Sequence, residues 1–158
     1  MTASVPSLSR QDERRLLSSK FAVARLATVS RAGRPHVVPV WFLYLNKKIY
    51  IPTPTRTMKA KHVSVTPYAS ITIDSYKGVL DAKGILIEGR AELIMGLESA
   101  KINLRIHQKY VGSNRLRRRQ WKAFAAEDDG TIVVRPDKWR SWDFTRLKLS
   151  KMKSIGSN

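Results

Sequence analysis

Short apolar runs broken by turn residues recur through this chain, and they constrain its fold more than any other feature. Residues 21–30 read FAVARLATVS, a strand of small and β-branched residues, and Ser30-Arg31-Ala32-Gly33-Arg34 makes a turn. Residues 35–45, PHVVPVWFLYL, form the next strand. Asn46-Lys47-Lys48 turns the chain, and residues 49–53 return it. Alternating runs follow at 68–74 and 84–94, and two more strands at 131–135 and 139–145. Runs of this length at this spacing belong to an antiparallel barrel or sandwich. Pro39 inside the second strand places it at an edge or a bulge, because proline cannot donate to a ladder. A ligand can meet free backbone groups there.

Helical signals punctuate the strands. Ser9 and Asp12 have capping-box spacing and introduce a helix within residues 1–20, with Leu16 and Leu17 as its apolar face. Residues 55–65 read as a short helix with Thr55 or Thr57 as N-cap. Thr66-Pro67 ends it, since the residue before proline is pushed out of the helical region. Residues 97–111 carry two apolar helical faces: Leu97, Ala100, Leu104 and Val111, and Ile102, Ile106 and Tyr110. Residues 115–126 predict a second, very basic helix. The tail, 147–158, has little to bury and is expected to be loose. The expectation is a single domain over 1–158, mainly β (α+β), with about six antiparallel strands and three or four helices.

The 158 residues include no cysteine, which excludes disulfides and thiolate metal sites. No run of 18 apolar residues exists, and the first ten residues lack a signal-peptide pattern. The expectation is a cytoplasmic protein with no membrane span. A net charge of +18 attracts anions such as phosphate groups, nucleic acid or an anionic cofactor. From Lys101 to Lys122 there are eight Lys or Arg and no Asp or Glu. That run is either a solvated helical face or a contact surface for a polyanion, with Tyr110 and Trp121 placed to stack on bases. Three scattered histidines and no clustered carboxylates predict no metal site. His36 is read as a structural residue or a general acid, His62 as a surface residue, and His107 as packing or solvent-exposed.

An ordered set of segments resembles the flavin- and deazaflavin-dependent oxidoreductases of the pyridoxamine-phosphate-oxidase-like superfamily. It comprises ARLATV at 24–29, GRPHVVPVWF at 33–42, IYIPT at 49–53, KAK at 59–61 and PYAS at 67–70. IEGRAEL at 87–93 and WDF at 142–144 complete it. The resemblance implies a six-stranded antiparallel split β-barrel with peripheral helices, paired as a homodimer, with the cofactor in a groove between subunits. It places the cofactor phosphate near Thr55, Arg56, Thr57, Lys59 and Ala60. It sets the ring against Val38, Pro39, Val40 and Trp41 and against Ile51, Pro52 and Thr53, with Trp142 near the partner's site.

The residue types agree with that placement. Arg56 offers a planar fork, Lys59 a point charge, Thr57 a hydroxyl, and the helix start adds free N–H groups. Trp41 either faces the ligand or packs in the core or an interface. The implied activity is hydride transfer to or from a small substrate through FMN, or alternatively through the deazaflavin coenzyme F420, whose acidic tail suits a basic protein. No catalytic acid, base or nucleophile is identified, as expected where the cofactor carries the chemistry. The chain departs from many relatives in having His62 three residues after the lysine. It also has no match to the C-terminal substrate segment of true pyridoxamine phosphate oxidases, so oxidation of the vitamin is not expected.

Overall fold

The chain enters its sheet from α1 (Arg10–Ser18), which bears out the capping-box spacing. Ser9 Oγ accepts the Asp12 N–H at 3.1 Å and donates to the Asp12 carboxylate at 2.7 Å. This structure, a computed structural model, describes residues 5–76, 78 and 81–147. Residues 148–158 of the expected loose tail lie outside the described residues.

Seven strands follow, where about six were expected: β1 (Ala24–Val29), β2 (Pro35–Val40), β3 (Leu43–Leu45), β4 (Lys48–Thr53), β5 (Tyr68–Ser75), β6 (Lys83–Met95) and β7 (Gly130–Asp143). All pair antiparallel in the order β2-β1-β5-β6-β7-β4-β3. The expected strand 35–45 is therefore two strands, broken at Trp41-Phe42. These two are the opposite edges of the sheet, yet only Trp41 and Phe42 separate them. Three residue steps span at most about 11 Å, whereas the edges of a flat seven-stranded sheet lie roughly 29 Å apart. The sheet must therefore roll up until its edges face each other. The result is a barrel split along one seam, with no ladder between β2 and β3. Phe42, fully buried, joins Leu26, Ile51, Ile71 and Ile87 in the barrel core.

The strands expected at 131–135 and 139–145 are a single strand, β7. It carries Pro136, and the register with β6 shifts between Glu88 and Gly89, leaving one extra residue on the β7 side. A bulge needs no ladder bond at that point, so proline is tolerated. Gly89 makes room for it, because a Cβ there would run into the Arg135 carbonyl.

Four further helices pack outside the sheet: α2 (Met58–Val65), α3 (Gly96–Val111), α4 (Ser113–Leu116) and α5 (Arg119–Ala126). α2 starts later than 55, with Thr57 at its N-cap. The single basic helix expected over 115–126 is divided at Arg117-Arg118. α3 buries Ser99, Asn103, Ile106 and His107, while Leu97 and Leu104 are exposed. Of the face Leu97, Ala100, Leu104 and Val111 the last is buried while Leu97 and Leu104 are not, and Ile106 of the other expected face is buried. The inward positions include polar residues that hydrophobic periodicity does not count.

Candidate functional site at the barrel seam

The seam opens into a cavity of about 400 Å3 lined by Val23, Pro39, Val40, Trp41, Pro52, Pro54, Lys59, Phe124 and Asp128. Its two strand prolines sit where the ladder is one-sided. Pro39 lies on edge strand β2 and faces Arg25 of β1 alone. Pro52 pairs with Thr131 of β7 but lies past the end of β3, whose pairing stops at Tyr50. Proline fits such positions because no N–H is required on the open side.

α3 holds the two crossing residues in place. The backbone groups of Phe42, deprived of strand partners, need others. Its N–H donates to Tyr110 Oη at 3.3 Å, and its carbonyl accepts from Lys109 Nζ at 3.1 Å. Tyr110 also donates to Ala22 O at 2.7 Å, and Lys109 to Leu17 O at 3.1 Å. Lys109 lies 3.8 Å from the Phe42 ring centroid. Burial pushes its amine down to about 8 and the Tyr110 phenol up to about 12. Trp41 stacks on Tyr110 with centroids 4.9 Å apart and planes within 3°, and its edge meets Phe124 and His107. These contacts on its face and edges fix the orientation of the Trp41 ring.

Two charged groups enter the cavity. Lys59, from the first turn of α2, is half-buried, and desolvation lowers its pKa, with Asp128 opposing that shift. Asp128 Oδ2 is 2.9 Å from Nε2 of His107, which is fully buried. Its backbone carbonyl accepts from Asn103 Nδ2 at 2.9 Å. A buried polar row along α3 (Ser99, Asn103, His107) thus fixes the segment that carries Asp128 into β7.

Of the site residues expected from sequence, Pro39, Val40, Trp41, Pro52 and Lys59 meet at this cavity. Val38 packs against the barrel core, and Ile51 and Ala60 are buried. Thr53 is buried with its hydroxyl bonded to Pro54 O and Thr57 Oγ1. Thr57 Oγ1 also donates to Pro54 O at 2.9 Å. Arg56 is ion-paired with Glu127, and the Thr55 N–H and hydroxyl donate to Asp129 at 2.6 and 2.9 Å. Those bonds hold the Asp129 carboxyl below its ordinary pKa. Trp142 lies opposite Gly84 on β6, where its ring would meet any Cβ at Gly84, and does not line the cavity.

His62 is a correction. It is only 7% exposed rather than a surface residue, with Nδ1 3.2 Å from Thr28 Oγ1, and it meets His36 edge to face. His107 is packed rather than solvent-exposed. Sequence reasoning missed Val23, Pro54, Phe124 and Asp128. Phe124 lies in the helix expected over 115–126, read only for its basic residues, and Asp128 is set by contacts with α3 that no local pattern reports. Among the described residues, no three His, Asp or Glu side chains gather as a metal site.

A family model described as pyridoxamine 5'-phosphate oxidase matches residues 11–143. No curated protein matches the chain at a significant level. Among solved structures, a conserved hypothetical protein of Mycobacterium tuberculosis is similar with a TM-score of 0.74 at 20% identity, covering 91% of this chain and 89% of that one. An F420 reductase gives 0.63 at 20% identity, covering 80% and 94%. The heme storage protein HutZ of Vibrio cholerae gives 0.68 at 14% identity, covering 87% and 98%. At these identities the likeness is one of fold.

Proposed function

The chain belongs to the pyridoxamine 5'-phosphate oxidase family, and on that premise we propose that its seam cavity binds a flavin-type cofactor, FMN in the first place and coenzyme F420 as the alternative. The protein is then an oxidoreductase moving hydride to or from a small substrate. The observation that carries this reading is the cavity itself. It has the volume of a small-molecule pocket, aromatic lining from Trp41 and Phe124, whose rings meet edge to face, and a half-buried cation, Lys59. Those residues fit a planar, anionic cofactor. A bound flavin or deazaflavin supplies the hydride chemistry, and the protein supplies binding, orientation and exclusion of water. Trp41, locked by Tyr110, orients the ring, and Lys59 attracts the anionic portion. The proposal includes a cytoplasmic location, consistent with the absence of cysteine.

The absorption spectrum of purified protein, with mass spectrometry of the released ligand, separates FMN from F420; absence of both overturns the reading. Lys59→Ala is expected to weaken cofactor binding roughly ten- to a hundredfold, the range for one charge-assisted bond in a partly desolvated site. Lys48→Ala, on the hairpin at the start of β4, removes the same charge and should change affinity little. Equal losses at Lys59 and Lys48 in a fluorescence titration would show only general attraction. Because the ammonium form holds the anion, affinity should fall as pH rises through a Lys59 pKa below the ordinary lysine value.

The proposal includes a homodimer. The outward positions of β2, β1 and β5 form a mostly neutral face interrupted by the Arg25–Asp74 ion pair: Pro35 beside Val29, Val37 beside Ala27 and Ser70, Pro39 beside Arg25 and Thr72. Such a face in a chain of charge +18 suits a second copy. Pro39 follows Pro35 and Val37 on the same side of β2 and lines the cavity, so a copy docked there reaches the site.

A further inference from the structure

We propose that the α4–α5 segment binds the phosphodiester backbone of nucleic acid without sequence preference. Arg115, Arg117, Arg118, Arg119 and Lys122 are all exposed, and neither α4 nor α5 buries a residue. Among the described residues, none of the five makes an ion pair.

In sequence, that lack of pairing is unexpected, because Glu127-Asp128-Asp129 follows the run at once. The structure turns all three acids elsewhere. Glu127 pairs with Arg56, Asp128 with His107, and Asp129 accepts from Thr55. The arginines are left with their charge uncompensated, in the form that attracts a polyanion. Four of the five cations are arginine, whose planar fork matches phosphate oxygens.

The aromatic residues nearby decide between polyanions. Phe124 packs its ring against Trp41, Trp121 meets Phe124, and Tyr110 is stacked on Trp41 with its hydroxyl bonded to Ala22. Tyr110 is therefore not free to stack on a base, contrary to the expectation from sequence. α5 is a helix of eight residues, little more than two turns, whose Trp121 and Phe124 rings are engaged with each other and with Trp41, which does not suit insertion into lipid. Beside Phe124, which is 48% exposed, the charged side chains the segment turns outward are cationic as far as Lys122, and they suit a phosphate backbone held by charge.

Such binding releases counterions, at about 0.7 to 0.9 in the slope of log affinity against log salt per phosphate neutralised. The experiment is fluorescence anisotropy of a labelled 20-nucleotide single strand, and of its duplex, with the full chain from 50 to 200 mM KCl. The test variant is Arg117→Gln/Arg118→Gln/Arg119→Gln. Its control, Arg31→Gln/Lys47→Gln/Lys48→Gln, removes three charges from exposed or partly exposed turns elsewhere. Arg115→Gln/Lys122→Gln provides a second test. The wild type is expected to bind at 50 mM, and the test variant to lose more than tenfold affinity and about two units of salt slope. The control should lose far less. Binding to either strand form supports the proposal, and the two arms show which form is preferred. No binding by wild type, equal losses in test and control, or binding to phosphatidylglycerol vesicles without binding to oligonucleotide would overturn it.

Discussion

Asn103 is the residue on which the site's geometry hangs. Its side chain donates to Asp128 O and Gly130 O and accepts from Thr131 Oγ1 at 2.6 Å, all in a buried setting. Asn103→Ala leaves two carbonyls and a hydroxyl without their partner. Each such buried group costs about 1–3 kcal/mol, and shared bonding to neighbours reduces the sum. A loss of about 3 kcal/mol is expected, read from urea unfolding midpoints. At this scale residue chemistry singled out Pro39 as an edge position, while Trp41, Pro52 and Lys59 were placed at the site by the resemblance of their segments to the family. It did not expose His107 and Asp128. They meet across 21 positions of sequence, through the way α3 lies on the sheet.

Among the elements, β7 is the one most dependent on a single partner position. Its bulge opposite Gly89 lets one strand carry Pro136 and still pair with β6 along its whole length. Gly89→Ala would force a Cβ against the Arg135 backbone, which cannot move without disturbing β4 as well as β6. A destabilisation of about 3 kcal/mol, at the upper end of ordinary overpacking, is expected in the same unfolding measurement. Gly84→Ala would instead meet the Trp142 ring and the Asp74 side chain. Helix and strand existence was legible here because turn residues and caps are local. The break at Trp41-Phe42 and the fusion across Pro136 were not, since both depend on which strand lies alongside.

For the whole molecule, the proposed second copy on the β2-β1-β5 face is the testable matter. Val37 is 60% exposed and carries no core packing. Val37→Glu should therefore leave the fold unchanged by circular dichroism. If the face is the interface, the variant should halve the mass seen by light scattering at micromolar concentration. A wild-type monomer with cofactor present would remove the dimer from the proposal. A dimer that survives Val37→Glu would place the interface elsewhere.

Local patterning by itself determined an antiparallel barrel or sandwich, the capped first helix and the helix stop at Thr66-Pro67, because period-two runs, caps and prolines act within a few residues; the split barrel and the neighbourhood of the cavity came from the family resemblance of the ordered segments. Tertiary structure alone decided the rest. The closure follows from edge strands that are adjacent in sequence but opposite in the ladder, a geometric condition that no window of sequence contains. The pocket's carboxylate, its histidine partner and the uncompensated arginines follow from where the α5–β7 connection sends three consecutive acids. Each finds a different partner because the sheet and α3 bring Arg56, His107 and Thr55 within hydrogen-bonding reach.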